Sequence, residues 1–253
     1  MDTIGQNVLV VTAAVVASLL FMFGLNRIWP SEKRREHNDL VGWQLSILGT
    51  TYAVILGFML YTVWTSYGQA DLNVDREANS VAELYRLAGM FPEPQQSQLK
   101  NLARSYAEAV VNREWAEMAN NVEPKESAAI DSEMWRTVKS VRAASPTEQI
   151  AQDHALSELN LLGQHRLTRL SQSTTRLPNV LWSVLLVGGV LTIVSACMFG
   201  MQEEKLQALQ IFSLSLLVSL SLVAIADIHR PFRGFIHVRD YAFQRALENM
   251  RDD

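Results

Sequence analysis

The sequence predicts an all-α membrane protein with four transmembrane helices and a helical-bundle insert between the second and the third. The first observation behind this prediction is that charged and apolar residues are segregated along the chain, although a hydrophobic content of 49% is ordinary for a soluble protein. The second is that four charge-free stretches each reach the roughly 20 residues that a helix needs to cross about 30 Å of hydrocarbon. These stretches are Thr3–Asn26, Val41–Ala70, Leu177–Gln202 and Leu206–Ala226. Buried helices of a soluble protein explain them poorly, because soluble helices of this length usually have a polar face.

The first stretch is expected to be a retained membrane anchor, because the residues before it bring no basic charge and no small-residue cleavage site is evident. The formal net charge of -4 and the lack of a basic stripe give no reason to expect a nucleic-acid partner. Cys197 is the only cysteine, so it forms no intrachain disulfide. With no histidine cluster nearby, the sequence indicates neither a metal site nor a cofactor.

The insert, residues 71–176, is predicted to be a four-helix bundle whose outer helices extend the second and third membrane helices. Apolar residues keep the helical period from Val74 to Ala88, so membrane helix two should continue outward until "FPEP" at 91–94, as one helix of about fifty residues. Further helices are expected after Pro94 and near Pro124. The last should start at Ser145, where "SPTE" offers an N-cap, a proline at the first helical position and a glutamate at the third.

The predicted organisation has four parts: membrane helices one and two (1–70), the insert (71–176), membrane helices three and four (177–227) and a C-terminal tail (228–253). Basic residues near the membrane do not decide its orientation, because loops one and three hold five of them and the tail holds five arginines. The charges that flank the first helix decide the predicted orientation, since no basic residue precedes this helix and four follow it. We therefore expect the N-terminus, the insert and the C-terminus to be extracytoplasmic.

Small residues recur every four positions in two membrane helices, which is typical of close helix packing in lipid. One stripe lies in the second span and the other in the third. We expect the two stripes to pack against each other, although small residues are common in membrane helices generally. The predicted packing residues are Gly49, Ala53, Gly57, Gly188, Thr192, Ala196 and Gly200.

The second span has another face, about 200° from the small stripe on a helical wheel, with polar ends and a bulky apolar middle. Repeated around a symmetry axis, such a face would give a pore with hydrophilic mouths and a constriction that gates by dewetting. The same pattern also fits an ordinary packed face whose threonines bond to their own backbone. The residues of this face are Gln44, Ile47, Thr51, Ile55, Phe58, Thr62 and Thr65.

Charges at the end of the fourth span need partners, because charge at the lipid edge is costly. Pro231 should end this helix, on the same side of the membrane as the acidic segment that follows span two. We expect at least one arginine of "DIHRPFRG" to pair with one of those acids, and its aspartate to be satisfied by Arg76 or by backbone. The alternative is that the arginines sit among headgroups as anchors. The residues of this predicted charge clamp are Asp71, Asp75, Glu77, Asp227, Arg230 and Arg233.

Five short motifs occur in the order in which a known family carries them. They are "HND" at 37–39, "YAVILGF" at 52–58, "ELYRLA" at 83–88, "REWAEM" at 113–118 and "RPFRG" at 230–234. Together they resemble a family of four-helix bacterial membrane proteins described as bestrophin-like, although "REWAEM" lacks the proline expected after its tryptophan. The resemblance implies an inner-membrane location and a remote kinship with bestrophins, which are pentameric anion channels. The chain has no run of acids suited to a calcium clasp, so calcium gating is not expected.

Two classes of function are compatible with the sequence. One is an oligomeric membrane ion channel, expected to conduct small anions, with the second span lining its pore. The other is a non-conducting membrane scaffold or sensor whose insert binds an envelope partner. Either would contact membrane lipid, and a channel would be a homo-oligomer. An enzyme is not expected, because metalloprotease, phosphate-loop and nucleophile-elbow motifs are missing and no two histidines have ligand-like spacing.

Overall fold

A computed structural model describes residues 3–120 and 122–251. Within these ranges the chain is helical and contains no β-strand. The α-helices are α1 Thr3–Ile28, α2 Ser31–Arg34, α3 Asn38–Ala88, α4 Gln95–Ala109, α5 Trp115–Ala119, α6 Glu126–Ser140, α7 Pro146–Thr174, α8 Asn179–Met198, α9 Glu204–Ile228 and α10 Tyr241–Asn249. A 3-10 turn, Arg35–His37, precedes α3, and a π-helical segment, Val110–Glu114, joins α4 to α5.

Four of these helices are long and apolar enough to cross a membrane, which confirms the predicted number of spans. They are α1, α3, α8 and α9. The second span continues beyond its charge-free stretch, as predicted, so that α3 is a single helix of 51 residues. At about 1.5 Å per residue it is roughly 75 Å long.

The chain forms two compact units, and the boundary between them falls inside α3. The membrane unit comprises residues 1–65 and 176–229, and the insert unit comprises residues 66–175 and 230–253. In the membrane unit α1 packs along α9, and α8 packs against both. Met22, Cys197 and Ile211 form the centre of this bundle.

One polar cluster closes the membrane unit at the ends of α1 and α8. The buried Arg34 guanidinium donates to the carbonyl oxygen of Cys197 and to Asn26 Oδ1, so it caps the C-terminus of α8. The Asn38 side chain makes two hydrogen bonds to the backbone of Gly200, at 2.8 and 2.9 Å. These contacts fix the short loops between the membrane helices.

The insert unit has its own apolar core, to which α3, α4, α6, α7 and α10 all contribute. The C-terminal tail is a folded part of this unit. Phe232, Val238, Phe243 and Met250 are each no more than 3% exposed and belong to the same core as the insert helices.

The start of α7 follows the predicted capping pattern. Ser145 Oγ accepts a hydrogen bond from the Glu148 backbone N–H at 3.3 Å, and Pro146 is the first helical residue. The Glu148 carboxylate reaches back to the Ala144 N–H at 2.7 Å. The predicted extension of α7 into the third span is wrong, because α7 ends at Thr174 and α8 begins at Asn179. Pro178 explains the break, since a proline disfavours helical geometry in the residue before it.

Candidate functional site

The predicted pore face of α3 is largely uncovered within the single chain. Gln44, Thr51 and Thr62 are exposed, as are the large apolar side chains of Ile47 and Phe58 at 49% and 69%. Ile55 and Thr65, which complete the face, are half-buried. This face is therefore available to lipid, to a neighbouring subunit or to a water-filled channel.

The membrane part of α3 is the least covered of the four spans. In an apolar 18-residue window of each span, 11% of the residues are buried in α3, compared with 17% in α1 and 33% in both α8 and α9. A span that packs so little against its own chain is suited to packing against other copies around an axis.

One threonine of this face shows the backbone bonding of the alternative interpretation. Thr62 Oγ1 donates to the carbonyl oxygen of Phe58 at 2.8 Å, which satisfies the hydroxyl proton within the helix. The oxygen keeps its lone pairs, so the residue remains a polar group on an exposed surface.

The contact between α3 and α8 is made by a tyrosine. Tyr52 is 5% exposed and its hydroxyl donates to the carbonyl oxygen of Leu185 at 2.9 Å. Its ring lies against two glycines: a Cβ on Gly188 would come within 2.6 Å of Tyr52 Cδ2, and one on Gly189 within 2.9 Å of the hydroxyl. The structure thus gives the α8 stripe a close approach at Gly188, and the partner there is Tyr52.

The other predicted packing residues lie in different surroundings. A Cβ on Gly49 or Gly57 would have no neighbour within 4 Å. With Ala53 these glycines line an apolar groove of about 290 Å³, whose other walls include Thr192 and Leu217. The other two residues of the α8 stripe lie elsewhere. Ala196 is part of the core of the membrane unit, and Gly200 is bound by Asn38 in the loop cluster described above.

A buried ion cluster lies at the centre of the insert unit. Arg169 on α7 is completely buried and donates to both oxygens of Glu77 on α3, from Nε at 2.8 Å and from Nη2 at 3.0 Å. Its Nη2 also donates to Glu114 Oε2 at 2.8 Å, and that carboxylate is fully buried too. The Tyr106 hydroxyl donates to Glu77 Oε1 at 2.7 Å. One guanidinium therefore joins α3 and α7 to the π-helical segment.

The second carboxylate of the cluster has an additional stabilising partner. Glu114 Oε1 accepts from the backbone N–H of Ser127, in the first turn of α6, at 3.0 Å. Burial acts to raise the pKa of Glu114, but Arg169 and the hydrogen bonds to Ser127 outweigh it, and the pKa is lowered. Burial raises the pKa of Tyr106, and the neighbouring Glu77 raises it further. The cluster therefore holds an ionised Glu114 and a neutral tyrosine.

Two of the sequence motifs meet in the insert. The Trp115 ring of "REWAEM" lies edge-on to Phe232 of "RPFRG", with ring centroids 5.7 Å apart, and its Nε1 donates to the carbonyl oxygen of Val238 at 3.2 Å. The segment that follows α9 is thereby packed against the π-helical region. Helices with a π-helical turn often carry functional residues there.

Two acids of the predicted charge clamp, Glu77 and Asp75, have other partners in the insert unit. Glu77 is bound by Arg169, and Asp75 Oδ1 lies 4.0 Å from Arg245 Nη2 on α10. Among the described residues Arg233 makes no ion pair within 4.0 Å. Pairing of Arg230 with Asp71 or Asp75 stays a prediction, as does the expected pairing of Asp227.

The described residues, 3–120 and 122–251, contain no group of three His, Cys, Asp or Glu side chains placed to hold a metal ion.

A family model named Bestrophin-like domain matches residues 12–243, which is most of the chain. The protein belongs to the bestrophin-like family.

Solved structures of bacterial bestrophin homologues have the same fold as this bestrophin-like protein. A homologue from Klebsiella pneumoniae that carries a single isoleucine-to-threonine mutation is 13% identical, with a TM-score of 0.72 over 98% of this chain and 100% of the other. A second structure of a homologue from the same organism, solved by Zn-SAD phasing, is 14% identical, with a TM-score of 0.69 over 94% and 97% of the two chains. No curated protein sequence matches the chain.

Sequence reasoning missed the ion cluster of this bestrophin-like protein, although the sequence contains a signal for it. Glu77 lies three residues after Val74 and four before Val81, on the apolar stripe of its helix. Glu114 lies likewise four residues from both Val110 and Met118. A charge at an apolar position of an amphipathic helix indicates a buried partner, because an unpaired buried charge is too costly to keep.

Proposed function

We propose that this protein is an oligomeric, anion-conducting membrane channel in which the α3 helices of several subunits line the pore. Bestrophins are known as oligomeric anion channels, and this chain belongs to the bestrophin-like family and has the fold of bacterial bestrophin homologues. The observation that carries the proposal is the uncovered membrane part of α3, the span with the fewest residues buried within its own chain.

The composition of the α3 face fits a pore that is closed by an apolar constriction. Its ends bear Gln44 and Thr65, and its middle bears Ile55 and the largely exposed Phe58. Rings of such side chains around an axis would form polar mouths and a narrow section that water leaves readily. The energetic barrier would lie at the level of Phe58.

Conduction of anions is supported by the absence of acids from this face. Rings of Asp or Glu favour cations in a pore, whereas residues 41–70 of α3 contain no charged side chain. Backbone and hydroxyl dipoles would then contact the passing ion.

Chloride flux tests the proposal. Purified protein is reconstituted into liposomes loaded with chloride, an outward chloride gradient is imposed, and efflux is followed with a chloride electrode. Efflux above that of protein-free liposomes, from protein that is oligomeric in detergent, would support the channel. A monomer, or an oligomer that passes no chloride under any gradient or voltage, would favour the non-conducting scaffold or sensor.

We further propose that the N-terminus and the insert are extracytoplasmic in a bacterial inner membrane, on the basis of the charges that flank α1. Single cysteines at exposed insert positions such as Arg142 test this, because the native Cys197 is buried and should react slowly. A membrane-impermeant maleimide should label them in intact spheroplasts. Labelling only after lysis would reverse the orientation without affecting the proposed pore.

A further inference from the structure

We propose that the turn after α9, residues 230–241, is a binding surface for the headgroups of anionic phospholipids. This segment contains three arginines and one aspartate, a net charge of +2 if the histidine is neutral. Its sequence, "RPFRGFIHVRDY", alternates these charges with aromatic and aliphatic residues. Basic and aromatic side chains together are typical of protein segments at the membrane interface.

The backbone of the turn is held in a fixed shape. The Val238 N–H donates to the carbonyl oxygen of Pro231 at 2.7 Å, which closes the loop, and Gly234 has a φ of 109° that other residues rarely adopt. A hydrogen bond of 3.0 Å joins His237 Nδ1–H to the carbonyl oxygen of Gly234. The inner side chains, Phe232 and Val238, are buried in the insert core. The turn is therefore ordered by the insert itself, without a contribution from lipid.

The outer side chains of the turn point to solvent in the single chain, and they combine positive charge with apolar surface. Three carry or can carry a positive charge, and three are aromatic or aliphatic. Phe235 and Tyr241 are 62% and 65% exposed. The exposed set is Arg233, Phe235, Ile236, His237, Arg239 and Tyr241.

The position of the turn along α3 places it at the level of the headgroups. The Tyr67 hydroxyl, on α3, donates to the carbonyl oxygen of His237 at 3.3 Å. Tyr67 lies three residues before the end of the 30-residue charge-free stretch 41–70. At about 1.5 Å per residue that stretch is roughly 45 Å long, which matches a bilayer including its headgroup regions. The turn also begins two residues after α9 ends at Ile228.

Two acids near the turn have contacts outside it, and Arg233 is left without an ion pair among the residues that the structure describes. Asp240 accepts a hydrogen bond from Gln244 at 2.9 Å, and Asp75 lies 4.0 Å from Arg245. Arg233 makes no ion pair within 4.0 Å in the described part of the chain. A lipid phosphate would supply the acceptors that Arg233 lacks, and a guanidinium suits bidentate contact with phosphate.

Native mass spectrometry of the full-length protein in detergent, with equal amounts of phosphatidylglycerol and phosphatidylcholine, tests the proposal. The wild type should retain phosphatidylglycerol preferentially. Arg233→Gln with Arg239→Gln should reduce this preference, by roughly fivefold for each arginine removed, since a basic residue near an anionic surface contributes about 1 kcal/mol. Lysine at both positions should keep most of it. Arg142→Gln, an exposed arginine between α6 and α7, should have no effect.

Three results would overturn the proposal. The first is an unchanged phosphatidylglycerol preference in the double glutamine variant at wild-type thermal stability. The second is displacement of the lipid by inorganic phosphate, which would indicate a site for soluble anions. The third is a double variant that changes subunit number while keeping its bound lipid, which would identify the turn as a subunit contact. Chloride flux is measured on the wild-type protein and lipid retention is compared between variants, so the lipid surface and the pore fail separately.

Discussion

Arg169 binds Glu77 through two hydrogen bonds, of 2.8 and 3.0 Å, between side chains that are both completely buried. The two residues are 92 positions apart in the sequence, and they join α3 directly to α7. Because α3 also provides the proposed pore face, this ion pair fixes the insert end of the helix that is proposed to line the pore.

Removing the guanidinium should be strongly destabilising. Arg169→Met leaves Glu77 and Glu114 buried next to each other without a counter-charge, and loss of one partner of a buried pair costs about 3–5 kcal/mol. Arg169→Lys should cost less but still lose the two-point contact with Glu77. Thermal unfolding in detergent measures both variants, with Arg142→Met as an exposed control. Equal unfolding temperatures of the Arg169→Met and Arg142→Met variants would show that the ion cluster does not stabilise the fold.

Stability should depend on pH through Glu114. Its folded-state pKa is lowered from the ordinary 4.5, so its ionised form stabilises the fold above that pH. The contribution is lost as the pH falls through the folded-state pKa, below 4.5. Glu114→Gln should therefore be destabilising at neutral pH, and the difference from wild type should shrink in acid. The exposed Glu108→Gln control should show little difference at either pH. A loss of stability in Glu114→Gln that is larger in acid than at neutral pH would contradict a lowered pKa of Glu114.

The Tyr52 contact predicts unequal effects of alanine at two glycines. Gly188→Ala places a methyl group 2.6 Å from the Tyr52 ring and should cost about 1–3 kcal/mol by overpacking. Gly57→Ala meets no atom within 4 Å of the single chain and should be neutral or slightly stabilising to the subunit. In a Tyr52→Ala background the Gly188→Ala cost should largely disappear. The same cost in both backgrounds would exclude the ring as its cause.

The charge clamp predicts a rescue by charge reversal. Arg230→Glu should destabilise the protein, and Asp71→Arg or Asp75→Arg should partly restore stability if either acid is its partner. Glu77→Arg should not restore it, because that carboxylate is already bound by Arg169. Unfolding temperatures of the single and double variants decide between these outcomes. Failure of both rescues would favour arginines that act as headgroup anchors.

Local signals in the sequence were sufficient for much of the fold. The unbroken apolar period from Val74 to Ala88 predicts a helix that continues beyond the membrane, and α3 ends at Ala88. The capping residues Ser145 and Glu148 predict the start of α7, and both make backbone hydrogen bonds there. These features depend on neighbours within a few residues, so a single sequence reveals them.

Partners distant in the sequence could not be predicted in the same way. Nothing local connects Glu77 with Arg169, and the acidic segment next to the membrane suggested the nearer arginines 230 and 233 instead. The tail likewise gave no indication that the insert core covers Phe243 and Ala246 of α10. The neighbours of Phe58 in an oligomer lie beyond what one chain can specify.

Chloride efflux from proteoliposomes containing the Phe58→Ala variant tests the α3 pore most directly. Removing the largest exposed side chain of the apolar middle should widen the constriction and raise efflux above wild type at equal protein density. Phe23→Ala, the same change at a 46% exposed position on α1, should leave efflux at the wild-type level. Efflux that is unchanged by Phe58→Ala, or raised equally by both substitutions, would contradict a pore lined by α3.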